Sequence, residues 1–203
     1  MKKKLIAISF VLTALITLAG CGGAVKYPTY YTLHVPPPPD PPVQEGVRAS
    51  LAVREFRSPA YLHQGAIVYK TSPEQIGFYN YHRWAADPRE VVTNAVTDRL
   101  RASGKFTQVK PYDGRSDIDY ILSGRIEKLE EIDYDGGVKV EVAITAQMTN
   151  LATGLALWTN TVDEVGTVGQ RDVAAIVSEM NRTMERAIEK LLTPPPATSA
   201  KKG

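Results

Sequence analysis

The sequence predicts an α+β fold, a mixed α/β sandwich in which a mainly antiparallel sheet carries two principal helices within a single domain. Three observations lead there. Several segments between Val47 and Leu192 alternate apolar and polar residues at period two, two others repeat apolar residues every three or four positions, and the order is strands, helix, strands, helix. A chain of this length has room for a real core.

The first strand is predicted over "VRASLAVREF", Val47 to Phe56, where Val47, Ala49, Leu51 and Val53 alternate with Arg48, Ser50 and Arg54. "AIVYK" and "IGFYNYHRW" flank the turn-like "TSPEQ", with Pro73, and form a hairpin. A helix follows: Asp87 caps it, Pro88 suits its first position, Glu90 completes a capping-box-like start, and Gly104 is a natural stop. Val92, Val96 and Leu100 give it one apolar stripe.

"IDYILSGRIEKLEEI", Ile118 to Ile132, and "VKVEVAITAQMTN", Val138 to Asn150, form a second hairpin, because Gly136 and Gly137 between them tolerate the positive φ of a tight turn. The second of these strands separates Val138, Val140, Val142, Ile144, Ala146 and Met148 from Lys139, Glu141, Thr145, Gln147 and Thr149, which makes a sheet with one wet side. "ATG" then turns into "LALWTNTV", Leu155 to Val162. The last helix carries Ile176, Met180, Met184, Ala187, Ile188 and Leu191 on one stripe, and Pro194 stops it.

The ends of the chain bear on location. Lys2, Lys3 and Lys4 precede an apolar run from Leu5 to Ala19 that closes in "LAGC" at Cys21, a pattern similar to a bacterial lipobox: residues 1–20 are a signal peptide and Cys21 takes the lipid anchor. Cys21 is the only cysteine, so no intramolecular disulfide exists and stability must come from packing. Gly22, where an Asp would signal inner-membrane retention, points to the periplasmic face of the outer membrane. Residues 21–46 form the lipidated N-terminus and a proline-rich linker, 47–192 the domain, and 193–203 a solvated tail. The linker "HVPPPPDPPVQEG" favours polyproline II, and residues 36–46 would hold the domain ~35 Å from the lipid at ~3.1 Å per residue. "YYTL", Tyr30 to Leu33, reads as a short strand docked back on the domain or a neighbour.

Loss of residues 1–20 leaves 21 Lys and Arg against 22 Asp and Glu, so the formal charge falls from +2 to −1. No basic patch argues for nucleic acid. His34, His63 and His82 share no ligand spacing, so neither a metal nor another cofactor is expected. Glu130 with Glu131, or Asp117 with Asp119, could be invoked as a carboxylate pair, but charges at strand ends read first as solvated. No catalytic constellation emerges. Within "IGFYNYHRW", alternation places Phe78, Asn80, His82 and Trp84 on one side and Tyr79, Tyr81 and Arg83 on the other. Trp84 reads as a core anchor, and Tyr79, Tyr81 and Arg83 are the candidate partner-binding residues, since Tyr and Arg are enriched at interface hot spots.

"YYTL" after the lipobox-like motif, "AYLHQGAIVYK", "IGFYNYHRWAADP", "DYILSGRIEKLE", "GLALWT" and "DVAAIVSEMNRTMERAIEKL" together resemble the ABC-type transport auxiliary lipoproteins, over Tyr30 to about Leu192. The resemblance implies an α/β domain and a non-catalytic outer-membrane lipoprotein. It also implies partners, namely an MCE-domain protein, a permease and an ABC ATPase that move lipids across the periplasm, and it allows ring-like self-association. The competing reading is a structural envelope lipoprotein that binds peptidoglycan or supports an assembly machine.

Overall fold

The computed structural model describes residues 25–38, 47–114, 117–134 and 136–193, so the expected signal peptide, Cys21, the linker residues 39–46 and the expected tail from Pro194 lie outside the described residues. Strands β1 (Thr29–Tyr31), β2 (Val47–Val53), β3 (Ala66–Ser72) and β4 (Gln75–Trp84) precede helix α1 (Pro88–Ala102). Strands β5 (Phe106–Pro111), β6 (Tyr120–Ile132), β7 (Lys139–Asn150) and β8 (Ala156–Thr167) lead to helix α2 (Val173–Leu191). The strands join in one mixed sheet. Its long ladders, β6–β7 and β7–β8, are antiparallel, as expected, whereas β1–β4, β2–β5, β2–β6 and β3–β6 are parallel.

The thirteen-residue β6 organises the sheet. One edge is filled by β7 along its whole length. The other is shared: β2 pairs at the start, Leu51 opposite Tyr120 and Val53 opposite Leu122, and β3 pairs at the end, Tyr69 opposite Glu131 and Lys70 opposite Ile132. Between them the chain stays attached through Arg57, whose amide donates to Gly124 O at 2.9 Å and whose carbonyl accepts from Ile126 N at 2.8 Å. It then leaves through a 3-10 turn, Ala60–Gln64, to reach β3. Phe56 lies flat on β6 at Gly124, where an added Cβ would sit 2.2 Å from the ring, so only glycine permits that approach.

The helices follow the sequence closely. Asp87 caps α1 by accepting from Arg89 N at 2.9 Å, with the Arg89 guanidinium folded back onto the same carboxylate. The chain ends α1 through Gly104 at φ +62°. Asp172 caps α2 by accepting from Ala175 N at 2.9 Å. All six stripe residues of α2 are buried, and the helix lies across β7 and β8. Val92 and Val96 of α1, with Leu51, Val53, Ile126 and Ile144 of the sheet, complete one continuous core.

Two expectations are corrected. The sheet begins before residue 47: β1 pairs with β4, Tyr31 opposite Trp84, and Leu33 is buried in the core. "YYTL" is thus docked on its own domain, one of the two placements the sequence left open, and the proline-rich run follows β1 in the chain, so it does not set the reach between Cys21 and the sheet. Glu130 and Glu131 are not solvated, at 0% and 3% exposure, because β3 and β4 cover the end of β6. Lys70 Nζ lies 2.9 Å from Glu130 Oε1, and the Tyr61 hydroxyl donates to Glu130 Oε2 at 3.3 Å; burial, with Glu130 adding to it, pushes that phenol up to about 12. The Tyr79 hydroxyl donates to Glu131 Oε2 at 2.8 Å, yet burial holds the Glu131 carboxyl above its ordinary value. Asp119, by contrast, stays at the surface, accepting from Ser50 N and Oγ at 2.7 and 2.8 Å.

Trp84 is 5% exposed and its Nε1 has no hydrogen-bond partner, so its contribution is packing. Trp84→Ala should cost about 3 to 5 kcal/mol in chemical denaturation, and Trp84→Phe clearly less, since no hydrogen bond is lost. A raised carboxyl favours the fold most below the ordinary Glu value of 4.5 and loses that contribution as pH rises through the folded-state value. Glu131→Gln should therefore show its worst melting-temperature deficit near pH 4 and a smaller one, or a gain, at neutral pH. A deficit that grows with pH would contradict the burial cost.

Candidate interaction surfaces

The aromatic strand β4 does not keep strict alternation. Against β3 its register moves from Val68 opposite Phe78 to Ala66 opposite Arg83, so two steps of one strand span five of the other, and the extra residues bulge. Tyr79 and His82, predicted on opposite sides, consequently meet edge-on with ring centroids 5.6 Å apart. Tyr69 packs tilted against Tyr79 with ring centroids 5.0 Å apart, and Tyr31 Oη lies 3.0 Å from His82 Nδ1. Burial and the Glu131 bond push the Tyr79 phenol well above its ordinary value, so this hydroxyl remains a proton donor at every physiological pH.

The three candidate partner residues thus have different surroundings. Tyr79 is half-buried on Glu131. Arg83 donates from Nη1 to Gln64 O at 2.9 Å, tying the 3-10 turn to β4. Tyr81 is 40% exposed, with Lys26 Nζ 4.5 Å from its ring centroid. Beside it, β1 covers the edge of β4, with Ala85 N donating to Tyr31 O at 2.8 Å. The strap continues onto α2, where Asn181 accepts from His34 N at 3.1 Å and donates to Thr32 O at 3.4 Å.

A second surface was not legible in the sequence. Where β6 changes partners from β2 to β3, an open cleft of about 330 Å³ is lined by Arg54, Glu55, Arg57 and Arg125 with Ser123, Gly124, Thr145 and Gln147. Glu127, the extra residue of a bulge between Ile126 and Lys128, reaches its rim and accepts from Arg125 Nε at 2.9 Å. Arg54 stacks over the Tyr112 ring at 4.7 Å. Arg125 and Ser123 pair with Thr145 and Gln147, so the cleft opens on the sheet face opposite the Ile126 and Ile144 core layer. Guanidinium groups interspersed with hydroxyl, amide and carboxylate side chains make a mixed polar surface, in which Arg54 and Arg57 can pair with a partner's carboxylates.

Among the described residues the histidines stay apart. His34 and His63 are exposed and lie on different elements from His82. Among the described residues no group of three His, Cys, Asp or Glu side chains is placed to hold a metal, and no helix is long and apolar enough to cross a membrane.

Comparison with known proteins gives the family. Residues 31–191 match the family described as the ABC-type transport auxiliary lipoprotein component. No curated protein matches the chain. Among solved structures, a Xanthomonas campestris protein of the family DUF330 aligns with a TM-score of 0.70 at 17% identity, covering 80% of this chain and 92% of that one. A further uncharacterized protein aligns at 0.62 and 17%, covering 81% and 95%. A hypothetical protein of Chlamydia trachomatis aligns at 0.50 and 8%, covering 71% and 94%. At such identities these likenesses speak for the fold, and it is the family match over most of the sequence that identifies the chain as a member of the ABC-type transport auxiliary lipoprotein family.

Proposed function

We propose that this protein is a lipid-anchored, non-catalytic docking component at the periplasmic face of the outer membrane. There it would hold the end of a periplasmic MCE-domain protein that works with a permease and an ABC ATPase in lipid transport. The observation that carries this reading is membership of an auxiliary lipoprotein family over residues 31–191. Three further features support it. The lipobox-like motif supplies Cys21 as an anchor. The buried apolar faces of the sheet and of both helices pack against one another in one continuous core, which favours docking over carriage of an acyl chain. The arginine-lined cleft offers a polar, open surface to a partner.

The docking contact is assigned to this cleft in preference to Tyr79 and Arg83, whose polar atoms are already engaged inside the fold. Rim charges of this kind steer encounter and fix register more than they add affinity. A ring of copies around the partner is compatible with this arrangement.

A photo-crosslinking residue at Gln147, in the cleft, should recover an MCE-domain protein from intact cells, and one at Glu189 on α2 should not. The purified protein should carry little tightly bound phospholipid beyond its own anchor. Recovery of peptidoglycan without any MCE-domain protein would favour the structural alternative, and stoichiometric phospholipid would favour a shuttle.

A further inference from the structure

The short strand β1 changes what the lipid anchor can do. Thr29 is fixed in the sheet opposite His82, and it lies only eight chain steps from Cys21, with seven residues between them. At about 3.5 Å per residue the chain between them spans at most about 28 Å even when fully extended. The β1–β4 edge is therefore held close to the acyl chains, and the proline-rich segment, which follows β1, cannot lengthen the tether.

That edge exposes a group of mainly aromatic side chains, distinct from the aliphatic Leu155, Leu157 and Val165 exposed on and beside β8. Val25 is 73% exposed, Tyr27 78% and Tyr30 62%, and Tyr81 of β4 joins them with Lys26 over its ring. Exposed apolar groups of this size in a folded domain call for a cover. Tyrosine combines an apolar ring with a polar tip and suits the headgroup level of a bilayer, and a lysine beside it can extend its ammonium to anionic phosphates.

We propose that Val25, Tyr27, Tyr30 and Tyr81, with Lys26, form a membrane-interface seat. It rests the β1–β4 edge in the headgroup layer of the leaflet that holds the Cys21 lipid. The proposal rests on the lipidation of Cys21 and goes beyond the docking function, since it fixes the orientation of the domain. Acyl anchoring alone leaves a domain free to swivel on its tether. A second contact at the interface removes that freedom and makes attachment two-point, which raises effective binding without a stronger anchor.

Because acylation consumes the thiol of Cys21, a single new cysteine in the mature lipoprotein carries any thiol label alone. The full lipidated chain bearing Tyr27→Cys, Tyr81→Cys or, on the far edge strand, Thr159→Cys is labelled with an environment-sensitive fluorophore. It is then reconstituted into vesicles of phosphatidylethanolamine and phosphatidylglycerol that carry a headgroup nitroxide quencher. The labels at Tyr27→Cys and Tyr81→Cys should shift to the blue and be quenched, while that at Thr159→Cys stays water-like. Intact mass is read on the same samples. An acylated mass with water-like emission at both seat positions overturns the seat and leaves lipidation standing. An unacylated mass overturns the lipidation reading, and the seat with it. Shielding of the label in a Cys21→Ser, Tyr81→Cys chain without vesicles, rising with protein concentration, would assign this surface to a second copy and also overturn the proposal.

Discussion

The structure depends on one strand serving three neighbours. β6 gives one whole edge to β7 and divides the other between β2 and β3, so every backbone donor and acceptor along it has to be met by segments that arrive from different parts of the chain. Arg57 closes the junction by bonding Gly124 and Ile126 from its own backbone. Two wings, β5–β2 and β3–β4–β1, are thereby tied to a single spine, and α2 lies across the strands on the spine's other side.

This arrangement explains the features that look anomalous locally. Glu130 and Glu131 lie at the end of β6 because that is where β3 docks, and Lys70, Tyr61 and Tyr79 reach them from the β3–β4 wing. Breaking one partner of such a pair leaves a buried polar group uncompensated, so the contacts specify the register of that wing more than they add net stability. The cleft forms for the complementary reason: at the junction between partners, with a bulge at Glu127, the sheet edge is interrupted and three arginines are turned toward solvent. The wing that carries β1 and the cleft at the spine are therefore separate parts of one continuous sheet.

Much of this was legible in the sequence. Alternation marked β2 and β7, the turn-like "TSPEQ" marked the β3–β4 hairpin and glycines at 136 and 137 the β6–β7 hairpin, and all six residues of the α2 stripe are buried. Pattern fixes which face of a strand is apolar but carries no information on which strand lies beside it, so the parallel contacts of β2 and β3 with β6 were not readable. β5 left almost no signal: it is an edge strand with Val109 as its buried side chain, and it ends at Pro111. The Tyr79, Tyr81 and Arg83 grouping assumed an unbroken period of two, which the bulge between Phe78 and Arg83 removes. The cleft was invisible for a different reason. Arg125 is distant in sequence from Arg54 and Arg57 and meets them only because the chain beyond β2 runs along β6.

Native-state hydrogen exchange on the full chain measures the role of β6 directly. If the strand is the common spine, the amides of Ile121 to Ile132 should be among the slowest to exchange, opening only with global unfolding, while β1 at the sheet margin exchanges earlier by local opening. Exchange of the β3–β4 wing in step with β6 would complete the expected result. Fast exchange along β6, or a β6–β7–β8 unit that stays protected after β2 and β3 have both opened, would contradict the claim that one strand holds the two wings together.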